Sequence, residues 1–289
     1  MHRKIISIIA IIFLIATAVF LTFYNYGYER YHQHSMDVKD VQCNHTDGQF
    51  CTHLPLVKID THNQQIPALV DGSSVIDSYL SIFDKSDSNN HLDDEVDLHS
   101  LITIRARGNS SLFFDKKSYL IKLINTDRTE NSKKIMGMES HDEWVLNGPI
   151  LDKTLIRNYI SMNLAGQMMK NAPDVRFCEV FINDEYMGIY VMMESVSRSK
   201  GRVDIAKYNE NDPFTSYIVR LDRGSDPEEE INPFTRYTFN LTSIGNVIYP
   251  AKKYLNEQLI TFIEDDISKF EKALYSYDYD DIRVGYRKY

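Results

Sequence analysis

The apolar residues near the start of the chain form one long run, and this run predicts a membrane anchor. Residues 5–24 contain no charged side chain, and Arg3 and Lys4 precede them. A bilayer core of about 30 Å needs about 20 helical residues, so the run is long enough to span it. The basic residues indicate that residues 1–4 stay in the cytoplasm, which predicts that the domain after the anchor is extracytoplasmic.

A cleaved signal peptide is the alternative interpretation of the same run. Ala16-Thr17-Ala18 has the small-residue pattern of a cleavage site. The apolar residues continue past this site as Val19-Phe20-Leu21, which favours an uncleaved anchor; cleavage would release a secreted protein. Residues 25–55 have weak periodicity and many Tyr, His and Asn residues, so we predict a linker there.

Alternation of apolar and polar residues predicts short strands in the rest of the chain. In the clearest case, Ile102, Ile104 and Ala106 lie on one face of a predicted strand that ends at the turn residue Gly108. A β-hairpin is predicted around Asn183-Asp184-Glu185, although Gly188 falls inside its second strand. The predicted strands are 56–60, 101–107, 119–124, 143–148, 176–182, 187–193, 216–221 and 237–241.

Two segments have the i, i+3, i+4 spacing of helices that bury one face. The first begins at or near Asp152, a candidate N-cap, and runs to about Lys170. The second covers residues 254–275. The order of strands, helix, strands and helix predicts an α+β fold.

Composition narrows the class of protein. The 289 residues are 43% hydrophobic, which is typical of a globular protein, and the net charge is −9. An acidic chain is not expected to be a general nucleic-acid binder, so we predict no nucleic-acid partner. Three cysteines exclude a disulfide-dense scaffold.

The cysteines allow different interpretations. Cys43 and Cys51 lie in a loop-like stretch and are predicted to form a disulfide or to remain two free thiols. Zinc binding with His45 and His53 is the less favoured alternative, because the spacing is not one of the common zinc patterns. Cys178 lies in an apolar alternating stretch and is predicted to be a core residue.

One predicted hairpin has the residue types of a phosphate site. The run from Arg105 to Ser111 joins a strand to Lys116, Lys117 and Lys122. Backbone N–H groups of such a turn can point at anionic oxygens, and lysine adds positive charge. Protein kinases use a glycine-rich loop over the phosphates together with a strand lysine. An ordinary hairpin with solvated lysines is the alternative, and a single glycine does not decide between them.

Seven segments, in the same order, resemble the CotH (spore coat protein H) kinase family. They are R-G-N-S-S (107–111), K-K-S-Y-x-I-K-L (116–123), E-W-V-L-N-G-P (143–149), L-D-K-T-L-I-R-N (151–158), F-C-E-V-F-I-N-D-E-Y-M-G-I-Y (177–190), M-M-E-S-V (192–196) and R-V-D-I (202–205). The resemblance covers residues 56–289. It implies an atypical protein-kinase-like fold, a mostly antiparallel sheet with packed helices. It also implies ATP-dependent phosphorylation of Ser/Thr on spore-coat or surface proteins, with ATP and Mg²⁺ as cofactors.

The same resemblance implies five nucleotide-binding residues. The K-K-S-Y match makes Lys117 the leading candidate for phosphate contact, and Lys122 is the second. These two lysines are an odd number of residues apart, so on a regular strand they face opposite sides. Arg107 and Gly108 match the R-G pair and would line the same cleft. Glu194 lies where a kinase-like fold has its hinge, close to the expected adenine.

One part of the family pattern is missing from the sequence. Phosphoryl transfer needs Mg²⁺ held by carboxylates and an Asp near the substrate hydroxyl. The family carries these groups in a later segment resembling N-x-D and then W-D-[FY]-D, whereas the only tryptophan here is Trp144. We therefore predict a kinase-like domain that is incomplete at its C-terminus and inactive as it stands, with no catalytic or metal-binding residue assigned. A non-catalytic cell-surface or spore-coat binding module on the same fold is the alternative function.

Overall fold

The structure is a computed structural model, and its description covers most of the chain. The described residues are 10–19, 33, 49–68, 74–108, 110–212, 214, 216–223 and 243–288. The chain divides into two compact units, Met1–Ser195 and Val196–Tyr289.

The first unit contains nine named strands. In chain order they are β1 (Leu56–Asp60), β2 (Ile76–Phe83), β3 (Leu98–Arg107), β4 (Ser118–Ile124), β5 (Lys133–Ile135), β6 (Met138–His141), β7 (Glu143–Asn147), β8 (Val175–Ile182) and β9 (Glu185–Glu194). Seven of them close into a barrel in the order β1-β2-β3-β4-β7-β9-β8. Every neighbouring pair is antiparallel except β1 and β8, whose parallel pairing closes the barrel. Strands β5 and β6 form a separate two-stranded sheet.

Alternate residues of the barrel strands fill its interior. Ile102, Ile104 and Ala106 of β3 are fully buried, as the alternation predicts. Trp144 of β7 and Cys178 of β8 are also fully buried in this core. The barrel therefore has a packed interior, and closure leaves no strand edge exposed in that sheet.

The turn between β8 and β9 confirms the predicted hairpin. Asn183 and Asp184 both have positive φ angles, 49° and 67°, as a two-residue hairpin turn of type I′ requires. Gly188 has φ 85° and lies at a register shift between Val180 and Phe181 of β8. The glycine inside this strand therefore marks a β-bulge.

Helix α1 (Arg157–Met168) follows β7 and packs on the outer face of β8 and β9, where Tyr159 stacks on Phe177 at 4.5 Å between ring centroids. It begins later than predicted. The Asp152 carboxylate accepts the backbone N–H of Thr154 (3.0 Å) and of Arg157 (2.8 Å), the first helical residue. Asp152 thus caps the helix from a preceding turn instead of from its own first position.

The second unit contains a two-stranded sheet and a long helix. Strands β10 (Ile218–Arg223) and β11 (Ser243–Tyr249) are antiparallel, and helix α2 (Glu257–Leu274) follows. The Asn256 side chain caps α2 by accepting the Leu259 N–H at 2.9 Å. The predicted helix and the first predicted strand of this region are confirmed. The predicted strand 237–241 lies outside the described residues.

The predicted anchor is only partly described. Residues 10–19 are helical, while residues 5–9 and 20–24 lie outside the described residues. Within the described ranges, no helix is long and apolar enough to cross a membrane, so the anchor has no support there.

Two of the three cysteines are described. Cys51 is disulfide-bonded, and its predicted partner Cys43 lies outside the described residues. A sulfur in a disulfide is not a thiolate ligand, which removes Cys51 from the zinc alternative. Cys178 is free and fully buried, and burial raises the pKa of its thiol, as expected of an inert core cysteine.

Candidate functional site

The connection between β3 and β4 contains the predicted phosphate-binding turn. Arg107 ends β3, pairs with Ser118 across the ladder and is exposed. Gly108 follows with φ 120°, a conformation that favours glycine. A Cβ atom at Gly108 would lie 1.9 Å from the Ser111 Oγ atom, so alanine here is strained by the backbone angle and displaces the Ser111 hydroxyl.

Lys117 holds this turn together. Its Nζ atom donates to the carbonyl oxygens of Leu112 (3.0 Å) and Phe114 (2.9 Å), at the end of the short 3₁₀ helix Ser110–Phe113. These carbonyls have no helical partner, and the ammonium satisfies them. Lys117 is thus placed at the predicted turn, and its ammonium is occupied by backbone.

Lys122 lies on the outer face of β4, toward the other end of the strand. Its Nζ atom is 3.2 Å from an Asp142 carboxylate oxygen and 3.4 Å from one of Glu130. Burial lowers the pKa of Lys122, but the hydrogen bond and charge of Asp142 outweigh it, so the net shift is upward. This lysine already has anionic partners.

Glu194 ends β9 and is buried. Its carboxylate accepts the Asp174 N–H at 2.9 Å, and its own N–H donates to the Asp174 carbonyl at 3.1 Å. The Asp174 carboxylate in turn binds the buried Arg176 guanidinium at 3.0 and 3.2 Å. The first compact unit ends at the next residue, Ser195, where the sequence predicts a hinge.

The register shows which predicted residues come together. Arg107, Gly108 and Lys117 share one end of the barrel, because all three belong to the β3–β4 connection. Glu194 is opposite Trp144, which is opposite Ile121 of β4. Ile121 is four residues from Lys117, so Glu194 and Lys117 are separated by roughly 13 Å along the strand direction. The structure places them at two ends of the barrel, not in contact.

Sequence reasoning placed Lys116 in the hairpin but did not include it among the five nucleotide-binding residues. Its Nζ atom donates to the Met187 carbonyl at 3.1 Å and lies 4.5 Å from the centroid of the Tyr190 ring. A Cβ atom at Gly188 would lie 3.1 Å from this nitrogen, so the bulge glycine leaves room for the ammonium. Two signals were present in the sequence, the lysine pair itself and the unexplained glycine inside β9.

Gly148, directly after β7, is the second glycine that this arrangement needs. A Cβ atom there would lie 2.7 Å from the Lys117 carbonyl oxygen and 3.2 Å from the Lys116 Cγ atom. Backbone atoms cannot move aside cheaply, so added volume at this position forces strain.

We expect Gly148→Ala to destabilise the protein by about 1–3 kcal/mol, the usual cost of overpacking. The reason is the close approach of the Lys117 carbonyl. Urea denaturation followed by circular dichroism measures the change in free energy of unfolding. An alanine variant as stable as the wild type would contradict the close packing described here.

The acidic residues Asp278, Asp280 and Asp281 follow helix α2, and two of them form ion pairs with arginines. Asp281 binds Arg283 (3.0 Å), and Asp280 binds Arg287 (2.7 Å). Across the described part of the chain, no group of three or more His, Cys, Asp or Glu side chains could hold a metal ion. These carboxylates are neutralised by neighbouring arginines.

A separate surface cavity of about 300 Å³ lies on the outer face of β1, β2 and β3. Its lining residues are Lys58, Asp60, Tyr79, Ser81 and His99. None of the predicted nucleotide-binding residues contributes to it.

The match to a known family spans both units. A family model described as CotH kinase protein matches residues 104–281, more than half of the chain. No curated protein matches the chain. The matched range includes the Gly108 turn, Glu194 and the three lysines 116, 117 and 122. The chain therefore belongs to the CotH kinase protein family.

Proposed function

We propose that this chain binds ATP at the Gly108 end of its barrel, as a CotH-like atypical protein kinase. Membership of the CotH kinase protein family supports a kinase activity, and the substrates we propose are Ser/Thr residues of spore-coat or surface proteins. The observation that carries the proposal is the concentration of positive charge and turn backbone at one end of the barrel. Arg107, Lys116 and Lys117 all lie there, next to the Gly108 turn.

The order of elements supports the same proposal. Protein kinases combine a glycine-rich loop between two strands, a later strand and a helix that follows it. Here the Gly108 turn joins β3 to β4, β7 comes next in the sheet, and α1 follows β7. An elongated nucleotide suits the separation of Lys117 from Glu194, with phosphates at the turn and the base toward Glu194.

The residues present fit a nucleotide better than they fit a catalytic metal. The ammonium groups and turn N–H groups at the Gly108 end can donate hydrogen bonds to phosphate oxygens. For Mg²⁺, the described residues offer no matching set of carboxylates, since Asp280 and Asp281 bind arginines. We therefore propose nucleotide binding at the Gly108 end and assign no Mg²⁺ ligands among the described residues.

The disulfide at Cys51 supports a proposed position of the domain outside the cytoplasm. We propose that residues 5–24 anchor the domain outside the cytoplasm. Disulfides persist in oxidising compartments, and Cys51 is disulfide-bonded. Coat or surface proteins are the partners proposed for a domain in that position.

Thermal unfolding with ATP tests the proposed function. A ligand at 100 times its Kd stabilises the folded state by about 2.7 kcal/mol, which is measurable as a rise in Tm. We expect Gly108→Ala to abolish this rise, because its Cβ atom would disrupt the turn at Ser111.

Gly137→Ala is the matched control. Gly137 also has a positive φ, 74°, but an added Cβ would contact no atom within 4 Å. Both variants carry the backbone cost of alanine at positive φ, and only Gly108→Ala alters the proposed site. No rise in the Tm of the wild type at any ATP concentration would contradict nucleotide binding.

A non-catalytic binding module is the second candidate function. The described residues contain no group of three or more His, Cys, Asp or Glu side chains that could hold a metal ion, which is compatible with this candidate. This candidate predicts a stable protein whose Tm does not change with ATP, so the same titration distinguishes the two.

A further inference from the structure

The three lysines of the K-K-S-Y-x-I-K segment differ in the partners of their ammonium groups. Lys122 binds the Asp142 and Glu130 carboxylates. Lys117 donates to two carbonyl oxygens that the turn would otherwise leave without partners. Lys116 donates to one carbonyl and otherwise faces the Tyr190 ring, and it forms no ion pair within the described ranges.

The Lys116 ammonium is also partly removed from water. Its stem passes the position where a Gly148 side chain would be, and its Nζ atom rests against the backbone at Gly188. Desolvation lowers the pKa of Lys116, and the nearby Cys178 and Glu179 only partly oppose it. The Glu179 carboxylate is itself engaged by the hydroxyls of Thr52 and Tyr186.

A half-buried cation without an anionic partner gains more from a bound anion than a cation that already has one. An ammonium has three N–H donors, and Lys116 uses one of them on Met187. The other two can donate to phosphate oxygens. Lys117 uses two of its three donors on the carbonyls of its turn, which leaves it only one.

We propose that Lys116, instead of Lys117, supplies the ammonium that contacts the phosphates of the bound nucleotide. The inference rests on the proposed function for the identity of the ligand. In this arrangement Lys117 is a positioning residue that shapes the turn. Gly148 and Gly188 are the positions that let the Lys116 side chain reach across the end of β7 to β9.

Binding measurements on methionine variants test the assignment. Methionine keeps most of the apolar stem against Tyr190 and removes the charge together with the hydrogen bond to the Met187 carbonyl. We expect Lys116→Met to weaken ATP binding by about 10- to 100-fold, the loss of a charge-assisted hydrogen bond. Binding of adenosine, which has no phosphate, should be unchanged. Isothermal titration calorimetry measures both ligands on the full chain.

Lys122→Met is the matched control, and it should bind ATP within about threefold of the wild type. Lys117→Met should lower the Tm because its turn loses two hydrogen bonds, and it should weaken ATP binding less than Lys116→Met does. Equal or larger ATP loss in Lys117→Met than in Lys116→Met would overturn the assignment. So would a Lys116→Met variant that loses ATP and adenosine equally.

Inorganic tripolyphosphate separates this inference from the proposed function. If the wild type binds tripolyphosphate through Lys116 but does not bind ATP, the anion site stands and the nucleotide function fails. If ATP binds and Lys116→Met has no effect, the nucleotide function stands and the assignment of Lys116 fails. Binding of neither ligand overturns both.

Discussion

Replacing Arg176 with methionine should destabilise the first unit by about 3–5 kcal/mol, the cost of breaking a buried ion pair from one side. Arg176 is 1% exposed inside the barrel. Its guanidinium binds both Asp174 carboxylate oxygens and donates to the Val175 carbonyl at 2.8 Å. The methionine variant would leave the Asp174 charge without this partner. Urea denaturation at neutral pH measures the loss.

An exposed arginine provides the control for this experiment. Arg157 lies 3.5 Å from an Asp152 oxygen, and its side chain is 75% exposed. Exposed pairs contribute about 0–1 kcal/mol, so Arg157→Met should change the free energy of unfolding by less than about 1 kcal/mol. The double variant Asp174→Asn/Arg176→Met should recover part of the loss, because it removes the unpaired charge. Equal effects of the two arginine variants would contradict a buried, ion-paired Arg176.

Trp144→Ala should cost about 3–5 kcal/mol, as for other large aromatic residues in cores. Trp144 is fully buried, and it is the largest fully buried side chain among the described residues. Its Nε1 atom also donates to the His141 carbonyl at 3.0 Å. Alanine would leave a cavity in the middle of the β4–β7–β9 sheet and an unpaired carbonyl. Thermal and urea denaturation should both register the loss.

Trp144→Phe separates volume from hydrogen bonding. It keeps an aromatic ring in the core and removes the indole N–H, so its cost should be clearly smaller than that of alanine. If phenylalanine and alanine destabilise equally, the hydrogen bond and not the packed volume dominates at this position. A loss below about 1 kcal/mol for Trp144→Ala would contradict a packed barrel interior.

Patterns within a few consecutive residues predicted those strands, turns and helix caps that depend only on residues close together in the chain. The alternation around Ile104 predicted β3, because side chains on a strand alternate between two faces. The run Asn183-Asp184-Glu185 predicted the β8–β9 hairpin, and the structure shortens the turn to Asn183 and Asp184. Asp152 was correctly identified as a capping residue, although its distance from the helix start was not.

Other elements had no sufficient local signal. Strand β2 contains the buried Ser78 among its apolar residues, and this polar side chain interrupts the expected pattern. Closure of the barrel pairs Leu56 with Glu179, more than 100 residues apart in the chain. Such a pairing depends on burying one face of every strand at once, so it cannot be predicted from the residues of any short segment.

The sequence by itself determined the family, the α+β class and the hairpin that joins the Gly108 turn to Lys116 and Lys117. The sequence did not explain why glycine occupies positions 148 and 188. Only the tertiary structure decided that Lys122 has anionic partners and that Lys116, within the described ranges, forms no ion pair, because a counterion is a neighbour in space and not in sequence. Lys122 forms an ion pair with Asp142, and Lys117 donates to carbonyl oxygens of its own turn. Lys116 donates to the Met187 carbonyl on a strand about 70 residues away.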